Sequence, residues 1–431
     1  MSAVPDNLTG GRAITVWRHC ERFILFVLVF SLPLQVLALI PRTTVTVTKV
    51  GGATLIAAVF VRRFMTKHSP FVRTRLGDAI LLFGLACVAS CVLAADRCAS
   101  FRAALTLLEY AFLFYATAAA ASDDFIQERM PALLGGACFV AGIGAVLAWS
   151  GRLLPPTVDR FIVGSNIRRV CFGLPDANEQ AMFFVFAWAL LLFNSDYWRD
   201  WQQRVFSGAI VAGIGAGLLL TMSRTGWICA LLLLLARILT VRRRLLYMCG
   251  LVVLFTVFGT AVTALKPQVV DSVRRRASEA TAMVDTSLAS RIMQYTAVVE
   301  TAWRGGAFGH GLGSTAELSK QFETPLGETT GSTVHNVPLI FWLELGWFGM
   351  LCYGWLWSAI AAALILGFCH APRGAPRERI LAYGMLIVSF AITSLAMPFV
   401  YRSAFPILLG CAMGAVRTGL SGPVAEKNRR S

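Results

Sequence analysis

Two arginines and a histidine carry the chemistry this sequence could do at a membrane boundary. Arg224 lies in Met222-Ser223-Arg224-Thr225-Gly226-Trp227, wedged between two apolar runs. A guanidinium is planar and always charged, and its fork matches phosphate oxygens. An arginine at the edge of a hydrocarbon layer is costly and usually faces a cavity or a partner. It can also snorkel to lipid headgroups, and the local sequence leaves both readings open. Arg291 lies in Ser287-Leu288-Ala289-Ser290-Arg291-Ile292-Met293-Gln294-Tyr295. Apolar positions 288, 292, 295, 299 and 302 share one helical face, with Ser287 or Asp285 as the N-cap. Arg291 sits beside that face, so a helix packed on a membrane domain would aim it along the seam. A plain surface arginine is the alternative. His335 lies in Thr333-Val334-His335-Asn336-Val337-Pro338-Leu339, where polar sequence gives way to apolar. A neutral imidazole there can take a proton from a sugar hydroxyl, because its unperturbed pKa of about 6.5 suits that work. A hydrogen-bonded structural histidine is the competing reading.

Other residues narrow the chemistry. His310 stands in Gly309-His310-Gly311-Leu312-Gly313-Ser314. These glycines have no strand–helix–strand context, so they predict a tight turn rather than a nucleotide loop. The segment contains neither an HExxH nor a Walker motif, and Asp159, Asp176, Asp271 and Asp285 are too scattered to gather a divalent ion. They read as loop or cap residues, and chemistry without metal or ATP is expected. The 11 cysteines are scattered, mostly within apolar runs, with no CxxC pair. Cys98 and Cys171 both read as outward, which leaves a disulfide between them as one option.

The elements that must position these residues are transmembrane helices. The chain has 431 residues, 57% hydrophobic and only 14% charged. Soluble domains carry about 25% charged residues. Apolar runs long enough to cross about 30 Å of hydrocarbon recur along the chain. They are continuous rather than alternating, so they are helices. Spans are expected near 23–40, 46–62, 78–95, 101–121, 130–149, 179–194, 205–222, 225–240, 246–264, 347–368, 380–397 and 401–417. The N-terminal stretch is polar and basic without a cleavage site, so the first span is expected to be retained.

Lysine and arginine asymmetry orients the spans. With both ends cytoplasmic, Arg62, Arg63, Arg242–Arg244, Arg373, Arg377 and Arg379 fall inside, as does the tail at 418–431. The 121–129 loop, acidic at Asp123 and Asp124, is the exception. Two outer segments are longer than connection requires, at 150–178 and 265–346. The domain reading is therefore residues 1–264 as the first nine spans, 265–346 as an outer loop domain, 347–417 as the last three spans, and a tail. The outer face should be poor in arginine, yet it holds Arg152, Arg160, Arg168, Arg169, Arg224, Arg274–Arg276, Arg291, Arg304 and Arg402. Attraction to anionic headgroups accounts for most of these, and an electropositive cavity for an anionic, phosphate-bearing substrate is the sharper reading. Membrane lipids are expected partners and nucleic acid is not.

Taken together, the motifs resemble the O-antigen ligase family, most closely the lipopolysaccharide ligases. The likeness rests on the Ser223-Arg224-Thr225-Gly226 turn, Arg291 in an outer-loop helix and the Gly309–Gly313 turn. It rests also on His335-Asn336 followed by Glu344-Leu345-Gly346-Trp347-Phe348-Gly349, and on Phe172–Asn178 before a span. Arg291 follows Arg224 by 67 residues and His335 follows Arg291 by 44, which suits a large loop between the ninth and tenth spans. The resemblance implies an all-α polytopic membrane protein of about twelve spans, with a helical periplasmic domain and a GT-C-like architecture. It implies transfer of a polysaccharide from undecaprenyl diphosphate to a lipid A–core sugar at the periplasmic face of a bacterial inner membrane, with no cofactor. Carried over, Arg224 and Arg291 bind the diphosphate and stabilise the leaving group. His335 activates the acceptor hydroxyl for inverting attack, and Arg168, Arg169, Asn178, His310 and Asn336 are further substrate-binding candidates. An O-antigen polymerase or a protein O-oligosaccharyltransferase is the nearest alternative. A transporter or flippase is the alternative from another class, but such proteins put ionisable residues near the midplane, whereas these cluster at the outer boundary.

Overall fold

The computed structural model describes residues 7–35, 46–69, 71–72, 74–150, 152, 160–161, 168–174, 176–240, 286–321, 334–397 and 402–430. The first half contributes α1 (Asn7–Ser31), α2 (Val47–Met65), α3 (Gly77–Leu93), α4 (Arg97–Ala120), α5 (Asp124–Trp149), α6 (Ala177–Leu192), α7 (Trp201–Leu220) and α8 (Arg224–Thr240). The second contributes α9 (Thr286–Arg304), α10 (Thr315–Leu318), α11 (Val337–His370), α12 (Ala375–Ser394) and α13 (Ala404–Arg430). The expected span 246–264, the basic residues Arg242–Arg244 and the Arg274–Arg276 run lie outside the described residues.

The chain is a polytopic helical membrane protein. Helices α4, α5, α7 and α11 are each long and apolar enough to cross a bilayer, while α3, α6 and residues 404–420 of α13 are apolar but shorter. The all-α expectation has one exception. In the 150–178 segment β1 (Arg160–Phe161) pairs antiparallel with β2 (Arg168–Arg169), Arg160 facing Arg169 and Phe161 facing Arg168. Outside a helix, backbone amides must find partners elsewhere, and a short hairpin supplies them.

Helix ends follow local chemistry more closely than hydropathy does. Asp96, Asp123, Asp176 and Asn336 cap α4, α5, α6 and α11 through their side chains. Thr221, Met222 and Ser223 form the short turn expected between α7 and α8, with Met222 at φ 51°. α11 begins ten residues before the expected span 347–368 and bends at Gly346, where φ is 67° and ψ is −163°. α13 continues as helix through the stretch read as a tail.

α6 is the central helix. Phe184, Phe186 and Phe193 are fully buried there, with α5, α7, α8 and α12 packed around it. α13 packs on α4, while α11 packs on α3 and carries α9. Close approach uses small residues: a side chain at Gly142 on α5 would meet the carbonyl oxygen of Gly213 on α7 at 2.5 Å. The acidic 121–129 loop also finds its reason. Asp123 accepts from Arg22 Nε at 3.0 Å. Arg379, 9% exposed, lies 3.2 Å from Glu128 and 3.5 Å from Asp124. These carboxylates neutralise basic residues at their own end of the bundle. A buried guanidinium without such partners would be strongly destabilising.

Candidate functional site

The site grows from helix N-termini, where backbone amides lack helical acceptors and the dipole favours negative charge. Asp176 heads α6, accepting from the amides of Asn178 at 2.7 Å and Glu179 at 3.3 Å. Asn336 heads α11, with Oδ1 accepting from the amide of Leu339 at 3.0 Å. His335 immediately precedes that cap. Its carbonyl oxygen accepts from the Tyr295 hydroxyl at 2.7 Å. Asn336 Nδ2 donates to the carbonyl of Leu395 at 3.3 Å, and the Tyr295 hydroxyl lies 3.5 Å from the same oxygen. Together these bonds staple α9, the head of α11 and the end of α12.

Charge and burial then set the imidazole. Burial lowers the pKa of His335 most, Arg291 lowers it further, and Asp176 opposes them. His335 is therefore neutral at neutral pH and able to accept a proton. Tyr295 shifts the other way: burial raises its pKa and Arg291 opposes, so it stays a protonated donor. Arg291, His335, Tyr295 and Asp176 thus share one electrostatic neighbourhood.

Arg224 is the first residue of α8 and is half-buried. The N-terminus of α8 is pressed onto α6, because a side chain at Gly226 would meet Ala181 Cβ at 2.8 Å. Ser223 Oγ accepts from the Gly226 amide at 3.4 Å. Arg169 joins this turn to α6. Its Nε donates to the Thr221 carbonyl at 2.9 Å and its Nη2 donates to Asn178 Oδ1 at 2.7 Å. Val170 N also donates to the Leu220 carbonyl at 3.1 Å. Residues 176–178 thereby link the Arg224 turn to the His335 neighbourhood.

The remaining candidates separate. Arg168 takes part in the hairpin, but its side chain lies outside the described residues. His310 is built into a joint. Its Nε2 lies 2.9 Å from the Thr301 carbonyl and its amide donates to Leu343 O at 3.0 Å. Thr301 is ten residues along α9 from Arg291, about 15 Å at the helical rise. Gly309 (φ 68°) and Gly346 (φ 67°) interlock there, with Gly311 N donating to the Glu344 carbonyl at 3.0 Å.

Two expectations are corrected. The inward side of α9 runs through Arg291, Gln294, Tyr295, Val298 and Ala302, whereas Ile292 is 56% and Val299 37% exposed. That side meets the polar head of α11, so it is partly polar and apolar periodicity alone misplaces it. Cys98 and Cys171 form no disulfide: Cys98 is exposed, and Cys171 is buried with its thiol donating to the Leu174 carbonyl at 3.2 Å.

Sequence reasoning missed Tyr295 as a working residue, although it stands four positions after Arg291 on the same side of a helix. It also set Asp176 aside as a cap, which it is, without its place beside His335. The ion pair of Arg402 with Glu179, three residues into α6, joins residues more than 200 apart and left no local signal. Among the described residues no three His, Cys, Asp or Glu side chains gather as a metal site.

A comparison with curated proteins finds no match. One chain of a solved structure described as "Structural coordination of polymerization and crosslinking by a peptidoglycan synthase complex" is similar at 16% identity. The match covers 81% of this chain and 96% of that one, with a TM-score of 0.39. Residues 208–354, the segment carrying Arg224, Arg291, His310, His335 and Asn336, match the family model described as O-antigen ligase.

Proposed function

We propose that this chain is an inverting glycosyltransferase that moves an undecaprenyl-diphosphate-linked O-antigen polysaccharide onto a lipid A–core sugar. The observation that carries the reading is a half-buried His335 tied through its carbonyl to Tyr295 on the helix that carries Arg291, inside a segment that matches the O-antigen ligase family. The surrounding fold is read as GT-C-like with about twelve spans, both ends cytoplasmic and the site periplasmic, in a bacterial inner membrane. The sidedness has support from α5. Its 26 residues reach about 39 Å, separating the Asp123 end from the outer segment that leads to α6.

In this mechanism Arg224 and Arg291 bind the donor diphosphate. His335 takes the proton of the acceptor hydroxyl as that oxygen attacks the anomeric carbon. The bond from that carbon to the phosphate oxygen breaks, and undecaprenyl diphosphate leaves with the electron pair. The new glycosidic bond is inverted. The leaving group already carries its charge, so it needs cations rather than a proton donor. Two guanidinium contacts at about 1.5–3 kcal/mol each would supply several powers of ten in rate if they tighten in the transition state.

The test is reconstitution with lipid-linked glycan and lipid A–core. Transfer is expected without added metal or ATP. His335→Ala is expected to lower turnover by about 10²–10⁴-fold, the range for a general base. Full activity of His335→Ala sinks the mechanism. Carrier-linked chains that lengthen without lipid A–core would assign a polymerase instead.

A further inference from the structure

We propose that the apolar groove between α3, α4, α11 and α13 seats the lipid chain of the acceptor, with Arg97 and Arg402 at its mouth holding that lipid's anionic headgroup. This rests on the ligase reading above. The groove has a volume of about 1040 Å³, and its charged lining residues are Arg97 and Arg402. Its walls are helix faces such as Val88 on α3 and Leu105 on α4, which are 58% and 48% exposed. A chain in the hydrocarbon layer can enter sideways at no aqueous cost. Arg97 opens α4 and Arg402 lies just before α13, so both stand at helix ends and both are exposed.

The groove runs up to the reacting centre. Val337 and Phe341 line it, and Val337 is two residues after His335. Arg402 is tied to Glu179 on α6, close to Asp176, while its side chain remains 44% exposed toward other partners. Asp96, beside Arg97, is occupied in capping α4 through the Ala99 amide at 2.9 Å. A groove of this composition fits an amphiphile with an apolar chain and an anionic head.

The chemistry assigns the occupant. In an inverting displacement the nucleophile and the leaving group lie on opposite sides of the anomeric carbon. If Arg224 and Arg291 hold the leaving diphosphate, the acceptor comes from the other side. Arg224 belongs to α8, which packs on α6, α7 and α12. The groove is walled by α3, α4, α11 and α13, with Phe390 of α12 at its edge, and no residue of α8 or α9 lines it. A reaction between two membrane-anchored molecules needs two lipid portals, and this groove is the second. The acceptor class is an anionic, acylated glycolipid.

Gly84 lines the groove, and a side chain there meets nothing within 4 Å. Gly84→Leu therefore starts its side chain in open space and narrows the groove. In proteoliposomes, Arg97→Gln should raise the acceptor KM by about tenfold, as loss of one charged contact predicts, and Gly84→Leu should raise it by filling the groove, while the donor KM holds. A rise in donor KM alone gives the groove to the carrier's chain and overturns the proposal. No change in either KM also overturns it. A benzophenone amino acid at Leu105 supplies a readout free of activity. It should capture lipid A–core in preference to bulk phospholipid, and capture of phospholipid alone refutes the assignment. If wild-type vesicles transfer no glycan, the ligase reading has failed, and the crosslink still decides what the groove holds.

Discussion

The Tyr295 hydroxyl donates a 2.7 Å hydrogen bond to the carbonyl oxygen of His335, tying the helix that carries Arg291 to the residue read as the base. Tyr295→Phe keeps the ring and removes the donor. A hydrogen bond of this kind is worth about 0.5–1.5 kcal/mol net, so kcat should fall by roughly threefold to tenfold if the bond positions His335. The acid limb of the pH profile should hardly move, because Tyr295 does not set the imidazole charge. An unchanged kcat would remove Tyr295 from the positioning role.

The pH profile itself tests the base. His335 has its pKa lowered, first by burial and then by Arg291. If the neutral form works, activity rises with pH on a limb centred below about 6.5 and is flat above it. Arg291→Gln removes a lowering cause and should move the limb to higher pH. Asp176→Asn removes the raising cause and should move it lower, while Asn still caps α6. The stability sign follows from the same shift. The unfolded chain binds the proton more readily, so the contribution is full above about 6.5 and is lost as pH falls toward the folded pKa. Melting temperatures in detergent should therefore drop with acid across that window, and less so in His335→Gln.

The glycine joint should be intolerant of any side chain. At Gly309 an added Cβ would lie 2.5 Å from Gly346 N and 2.6 Å from the Glu344 carbonyl, on a backbone with φ at 68°. Gly309→Ala should destabilise the protein by more than about 1 kcal/mol. Gly384→Ala, in the interior of α12 with nothing within 4 Å of the added atom, should be neutral or stabilising. Thermal unfolding of the two variants side by side checks the contrast.

Arg169 should behave as a clamp. It already holds the Thr221 carbonyl and Asn178. Arg169→Ala is expected to cost about 1–3 kcal/mol of stability, leaving buried acceptors without their donor. Arg169→Lys cannot reproduce the fork and should rescue little. A variant with full stability and a raised donor KM would instead put Arg169 on the substrate.

The membrane-spanning character of α4, α5, α7 and α11 was legible because transfer into hydrocarbon is a property of each stretch by itself. The short α7–α8 turn, Asp176 as a loop or cap residue and the membrane class all follow from local residues, as does the motif set that resembles O-antigen ligases, whereas the cap at Asn336 emerged only in the structure. The roles within that set were less legible. His310 and His335 look alike in sequence, each a lone histidine in the outer loop. Packing puts one into a glycine joint, on the Thr301 carbonyl, and ties the other to Tyr295, within the electrostatic reach of Arg291 and Asp176.

What the sequence determined by itself was therefore the helices, some of their caps and the short list of outer arginines and histidines. Tertiary structure decided which of them meet. Arg291 is 44 residues from His335 in sequence, and Asp176 is farther still. Burial and charge add up through space, so the lowered pKa of His335, the clamp at Arg169 and the groove beside Val337 exist only once α9 has packed on α11, the α7–α8 turn on α6, and α3, α4 and α13 around α11.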